Sequence, residues 1–125
     1  NNDLIVVDIN TKTAWLSDLM FTERTPSMDG DIHGWIDALE IIKKNNYKLI
    51  IPGHGTPPKN NKEAIQKIKS YLELLRTEIR KAIDDGMDLQ DAVETIASSE
   101  KNKWELFDVQ NARNINMVYP IMEWE

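Results

Sequence analysis

Tyr47-Lys48-Leu49-Ile50-Ile51-Pro52-Gly53-His54-Gly55 is the stretch on which the fold turns. Its apolar, partly β-branched run reads as a strand, and Pro52-Gly53 marks the strand's end. Upstream, Asp31 can cap a helix whose apolar positions Ile32, Trp35, Ile36 and Leu39 follow the i, i+3, i+4, i+7 pattern, continued by Ile42. That spacing predicts one buried stripe. Asn45-Asn46 closes the helix, and Lys43-Lys44 suits its negative end. Further upstream, Leu4-Ile5-Val6-Val7-Asp8 and Thr13 to Ser17 read as a hairpin around the turn residues Asn10-Thr11-Lys12. Apolar residues on both faces of these strands predict a sheet covered on both sides. A strand, crossover helix and parallel strand bring both C-terminal strand ends to one sheet edge, where α/β folds keep their sites.

Downstream, Thr22 to Gly30 reads as a loop, and from Asn60 a long helix runs to about Asp84. Glu63 follows its cap by three residues, and Ile65, Ile68, Leu72, Leu75, Ile79 and Ile83 recur at steps of three and four. Asp85-Gly86 stops it. A second helix starts at Asp88 and uses Leu89, Ala92, Val93 and Ile96. A third, short one is expected from Asn111 to Met122, with Pro120 bending or breaking it. The expected organisation is a single α/β domain over residues 1–125, with an αβ core at 1–59 and a helical tail at 60–125.

At 125 residues, 41% hydrophobic and 29% charged, the chain fits one ordinary domain and is short for two packed sheets with helices outside both. The net charge of -6 argues against nucleic acid or an anionic membrane as partner, since both recruit clustered Lys and Arg. With no cysteine, disulfides and thiolate chemistry are excluded, so a metal must use His and carboxylate. No run approaches a bilayer span, and Asn1-Asn2-Asp3 carries no leader-like pattern. The abrupt start three residues before a strand reads as a cut inside a larger soluble protein.

The candidate ligands are therefore Asp18 and His54, at the ends of the second and third strands. Glycines on both sides of His54 permit unusual backbone angles and leave room beside the imidazole. Alone, the pair is ambiguous: an Asp after a strand also caps turns, and a Gly-His-Gly turn can be only a turn. His33, at the start of the crossover helix, reads as a solvent-facing or capping side chain. Asp29 and Asp31 lack the regular ladder of a calcium loop and read as turn and cap. Trp15 and Trp35 fall at core positions, while Trp104 and Trp124 are expected to pin the tail against the sheet.

Trp15-Leu16-Ser17-Asp18-Leu19-Met20-Phe21, then Asp29-Gly30-Asp31 with Trp35, then Ile51-Pro52-Gly53-His54-Gly55, resembles in order and spacing the C-terminal half of the metallo-β-lactamase superfamily. Tyr71-Leu72, Arg80, Trp104-Glu105-Leu106-Phe107-Asp108, Arg113-Asn114 and Glu123-Trp124-Glu125 are similar to its quinoprotein relay system branch of zinc metallohydrolases. The resemblance covers nearly the whole chain. It implies half of an αββα sandwich, with Asp18 bridging two zinc ions and His54 completing the second. It also implies a metal-bound hydroxide that attacks an ester, thioester or amide-like bond of a small-molecule substrate. Ser17 stands where that family more often has glycine, a change expected to affect mainly the turn.

The family's H-x-H-x-D-H motif and a further histidine are absent from these residues. The isolated chain is therefore expected to hold zinc weakly or not at all and to be inactive alone, its partner being the missing N-terminal half or a second copy. The alternative is a non-catalytic half-domain, a homodimerising scaffold. A weaker one is an interaction module built on the stripe from Ile65 to Ile83. The relay branch implies export to the periplasm, while the residues themselves are equally compatible with the cytoplasm.

Overall fold

A computed structural model describes residues 5–125; Asn1 to Leu4, the first of which were read as leader-free and the last as opening the first strand, lie outside the described residues. Three strands, β1 (Val6–Asp8), β2 (Thr13–Phe21) and β3 (Leu49–His54), form one sheet in that order. β1 and β2 are an antiparallel hairpin, and β2 and β3 run parallel across the helix α1 (Ile32–Lys44), giving the expected strand, crossover helix and strand. The chain is a mixed α/β structure.

α1 forms where the caps place it. The Asp31 side chain accepts from the His33 N–H, Asn45 ends the helix, and Ile32, Trp35, Ile36, Leu39 and Ile42 are all buried. The long helix α2 (Asn61–Asp84) starts on the Asn60 carboxamide, which accepts from the Glu63 N–H. It buries Ile65, Ile68, Tyr71, Leu72, Leu75, Ile79 and Ala82, with Ile83 at the margin of the stripe. The stripe packs on α1 and on the tail of the same chain, so the helix is an internal element. α3 (Leu89–Thr95) is capped by Asp88, as its sequence predicts. Among the described residues no helix is long and apolar enough to cross a membrane.

Alternation along the strands divides the sheet into two unlike faces. Ala14, Leu16 and Ile50 are fully buried beneath α1 and α2. On the other face, Val6 pairs with Trp15 and Trp15 with Ile51. There Val6, Trp15 and Leu49 are exposed, Trp15 at 43%, and no described residue covers them. The expectation of cover on both faces is thus met on one only, and Trp15 is not a core residue of this chain. Apolar patterning records that a face is to be buried, not which residues bury it.

The tail departs from expectation in three places. The last helix, α4 (Phe107–Glu123), begins four residues before Asn111 and is preceded by a 3₁₀ segment, Ser98–Lys103. Its cap residue Leu106 is left-handed and makes no side-chain cap bond, so the start carries no local signal. Pro120 lies inside α4 without ending it. Near a helix C-terminus it removes one backbone donor, and the freed carbonyl can turn to water. Trp104 is buried, stacking obliquely on Tyr71 at 6.1 Å with Lys67 Nζ 4.2 Å from its ring centre, whereas Trp124 is 89% exposed and pins nothing.

Leu75 is fully buried where α2 faces its neighbours. Leu75→Ala is expected to lower unfolding stability by about 2–5 kcal/mol. Replacing the exposed Ile41 by Ser should leave it within about 0.5 kcal/mol. Urea denaturation followed by circular dichroism measures both.

Candidate functional site

Parallel strands advancing in step from Trp15 and Ile51 would pair Asp18 with His54, but β2 is irregular here. Trp15 pairs with Ile51, Ser17 with Pro52 and Phe21 with His54, so β2 spends extra residues against β3 in two places. Asp18 therefore lies within β2, in its bulged part, and not after the strand as the sequence suggests. Bulges re-aim side chains, and this one sets Phe21 opposite His54 while Asp18 stays within reach of the imidazole. Ser17 carries the strain with φ +52°. That is a left-handed conformation in which glycine is the natural residue, so its position matters more than the sequence alone conveys.

His54 Nε2 stands 3.2 Å from Asp18 Oδ1, and both side chains are accessible, at 37% and 64% exposed. The two residues chosen from sequence are brought together. The imidazole lies flat on the Phe21 ring, with centroids 4.6 Å apart and planes within 11°. Phe21 is buried and tilted against Trp35 at 6.1 Å, and Trp35 Nε1 donates to the Leu19 carbonyl at 3.0 Å. α1 thus braces the platform that orients the imidazole.

The turn after His54 is fastened to the end of β2. The Thr22 N–H donates to the His54 carbonyl at 3.0 Å and the Thr22 hydroxyl to the Thr56 carbonyl at 2.6 Å. The hydroxyl and N–H of Thr56 both donate to Glu23 Oε1, holding the Glu23 carboxyl below its ordinary range. The flanking glycines serve this fastening. A Cβ on Gly53 would stand 2.3 Å from the Ser17 carbonyl oxygen, and one on Gly55, at φ +92°, 2.1 Å from that of Thr22. The room they leave is filled by the backbone of β2, not by a group beside the imidazole.

A cleft of about 450 Å³ opens from Asp18, lined also by Ser27, Asp29, Asp31, Trp35 and Ile5. Among the described residues no group of three or more His, Cys, Asp and Glu side chains is placed to share a metal. His33 stands apart from Asp18 and His54. Its Nε2 faces Glu125 at 3.1 Å and its Nδ1 faces Arg76 at 3.2 Å, joining α1 to α2 and the chain end. Asp31 is the cap of α1.

Asp18 and His54 suit a divalent cation by chemistry. A carboxylate offers two oxygens and a neutral imidazole one nitrogen. Two donors at about 2.1 Å from a tetrahedral zinc lie roughly 3.4 Å apart, so the observed 3.2 Å nearly suits one shared ion. The role of Phe21 was not seen in the sequence, although it belongs to the apolar run after Asp18; continuing the strand through Leu19-Met20-Phe21 would have found it. No protein-family model and no curated protein matches this chain.

Two substitutions at the bulge should act in opposite directions. Gly53→Ala forces a methyl against the Ser17 carbonyl and is expected to cost about 1–3 kcal/mol or more. Ser17→Gly relieves a left-handed conformation worth roughly 1–2 kcal/mol while loosening the unfolded chain, for a net gain near ~0.5 kcal/mol. Thermal and urea unfolding of the two variants checks the signs.

Proposed function

We propose that this chain contributes Asp18 and His54 to the zinc site of a metallo-β-lactamase-like hydrolase, which cleaves an ester, thioester or amide-like bond of a small molecule. The observation that carries the reading is the approach of His54 Nε2 to Asp18 Oδ1 at 3.2 Å, from adjacent parallel strands and at an accessible sheet edge. The uncovered apolar face of the same sheet supports it, because half of an αββα sandwich would present such a face to its other half.

In this reading the Asp18 carboxylate would supply oxygen donors to the metal. His54 offers a neutral nitrogen, its ring held flat by Phe21 so that the donor atom points at the site. When bound, the metal supplies a water acidic enough to serve as nucleophile near neutral pH. The cleft beside Asp18 receives the substrate, and the buried Phe21 and Trp35 keep water from undercutting the imidazole. A catalytic zinc takes about three protein ligands, so this pair is incomplete, and the remaining donors come from residues outside these 125.

Zinc measured by elemental analysis after dialysis is expected to be absent from the 125-residue chain. It should be present as a tightly held pair of ions in a form extended at the N-terminus, and lost when Asp18 or His54 is replaced by Ala. Stoichiometric tight zinc in the short form, or full retention in the Ala variants of the extended one, would contradict the assignment.

A second reading, a non-catalytic half-domain that pairs with a copy of itself, is favoured by one observation, the exposed Val6, Trp15 and Leu49 on one sheet face. It predicts that the isolated chain sediments as a dimer at micromolar concentration and that Trp15→Ser shifts it to monomer. A wild-type monomer with a cooperative melt removes this reading.

A further inference from the structure

Residues 25–29, which help wall the cleft beside Asp18, have no regular structure of their own. Several of their backbone polar groups are met from far along the chain, the Thr25 N–H by the Glu105 carbonyl and those of Pro26 and Met28 from α4. Asn114 of α4 is 1% exposed. Its Oδ1 accepts from the Met28 N–H at 2.9 Å, and its Nδ2 donates to the Pro26 carbonyl at 2.7 Å. The same Nδ2 donates to the Tyr71 hydroxyl at 2.9 Å, and Gln110 Nε2 donates to Asn114 Oδ1 at 2.9 Å. Every bonding direction of the carboxamide is thereby used. Tyr71 in turn donates to Asn111 Oδ1 at 2.7 Å, and burial raises its phenol above the ordinary range, keeping the proton on the oxygen.

We propose that Asn114 is a positioning residue for the site. By gripping Pro26 and Met28 on either side of Ser27, it fixes the cleft wall formed by Ser27 and Asp29. The inference rests on reading the cleft as the substrate side of the zinc site; Asn114 itself touches neither metal nor cleft. A carboxamide is required because the Pro26 carbonyl needs a donor and the Met28 N–H an acceptor, both from one side chain. An apolar residue of similar size would strand both. A buried network with all its members satisfied also favours a single geometry, which a wall facing a substrate needs. The helical tail therefore shapes the site.

Amide hydrogen exchange on the full chain tests the proposal. In Asn114→Ala the amides of Ser27, Asp29 and Gly30 are expected to exchange roughly tenfold or more faster, while those of Ile68, Leu72 and Leu75 in α2 keep wild-type rates. Acceleration spread evenly over the molecule, or an unchanged loop, overturns it. Tyr71→Phe keeps Asn114 but removes one of its partners. It should show the same local pattern at smaller amplitude, which decides the matter if Asn114→Ala does not fold. In the zinc-loaded extended protein, with a chromogenic ester as substrate, Asn114→Ala should raise KM by a larger factor than it lowers kcat; an equal or opposite split counts against a positioning role. Absence of any ester turnover in the wild type would tell against the hydrolase reading alone, because the exchange pattern decides the grip independently.

Discussion

Between β2 and β3 the Ser17 carbonyl faces Gly53 without space for a methyl group. The candidate site is built around that contact. It forces glycine at one position of β3 and tolerates a left-handed serine in β2. The extra residues of the bulge bring Phe21 opposite His54. A regular ladder continued from Trp15 and Ile51 would have set Asp18 directly opposite His54; the irregular one sets Phe21 there and leaves Asp18 in the bulge beside it. Stability and site geometry thus share one cause, and the glycines beside His54 are explained by packing before any ligand is considered.

A second constraint lies in the unequal treatment of the sheet's faces. One face is closed by α1 and α2, while the other presents Val6, Trp15 and Leu49 with no described residue over them. Exposed apolar side chains grouped on one sheet face are what an associating surface would present. Both functional readings draw on it and differ in what arrives: the other half of a sandwich carrying metal donors, or a second copy carrying none. The Asp18–His54 approach favours the first, since a scaffold has no use for an accessible imidazole held flat on an aromatic platform.

Much of the architecture was legible because its signals are local. Asp31, Asn60 and Asp88 announce their helices as caps, and the apolar stripes of α1 and α2 repeat with the helical period. What was not legible depends on partners distant in sequence. The bulge arises from register against β3, and Leu106 starts α4 without a capping side chain. Trp15 follows the pattern of a buried residue, yet its cover is not among the residues described. Of the site, Asp18 and His54 could be chosen because a crossover unit aligns strand ends. Phe21 needed only the strand to be continued through Leu19-Met20-Phe21, whereas Thr22 and Asn114 could not be chosen, since loop fastening and the Asn114 grip exist only once β3 and α4 have docked.

The central claim is that His54 and Asp18 act together on a metal. The most direct measurement follows the imidazole nitrogens of His54 by long-range proton–nitrogen correlation while zinc is added to the N-terminally extended protein. The account predicts that Nε2, the nitrogen facing Asp18, moves to the shift of a metal-bound nitrogen and that Asp18→Asn weakens this response. Zinc bound with both His54 nitrogens unmoved would contradict it.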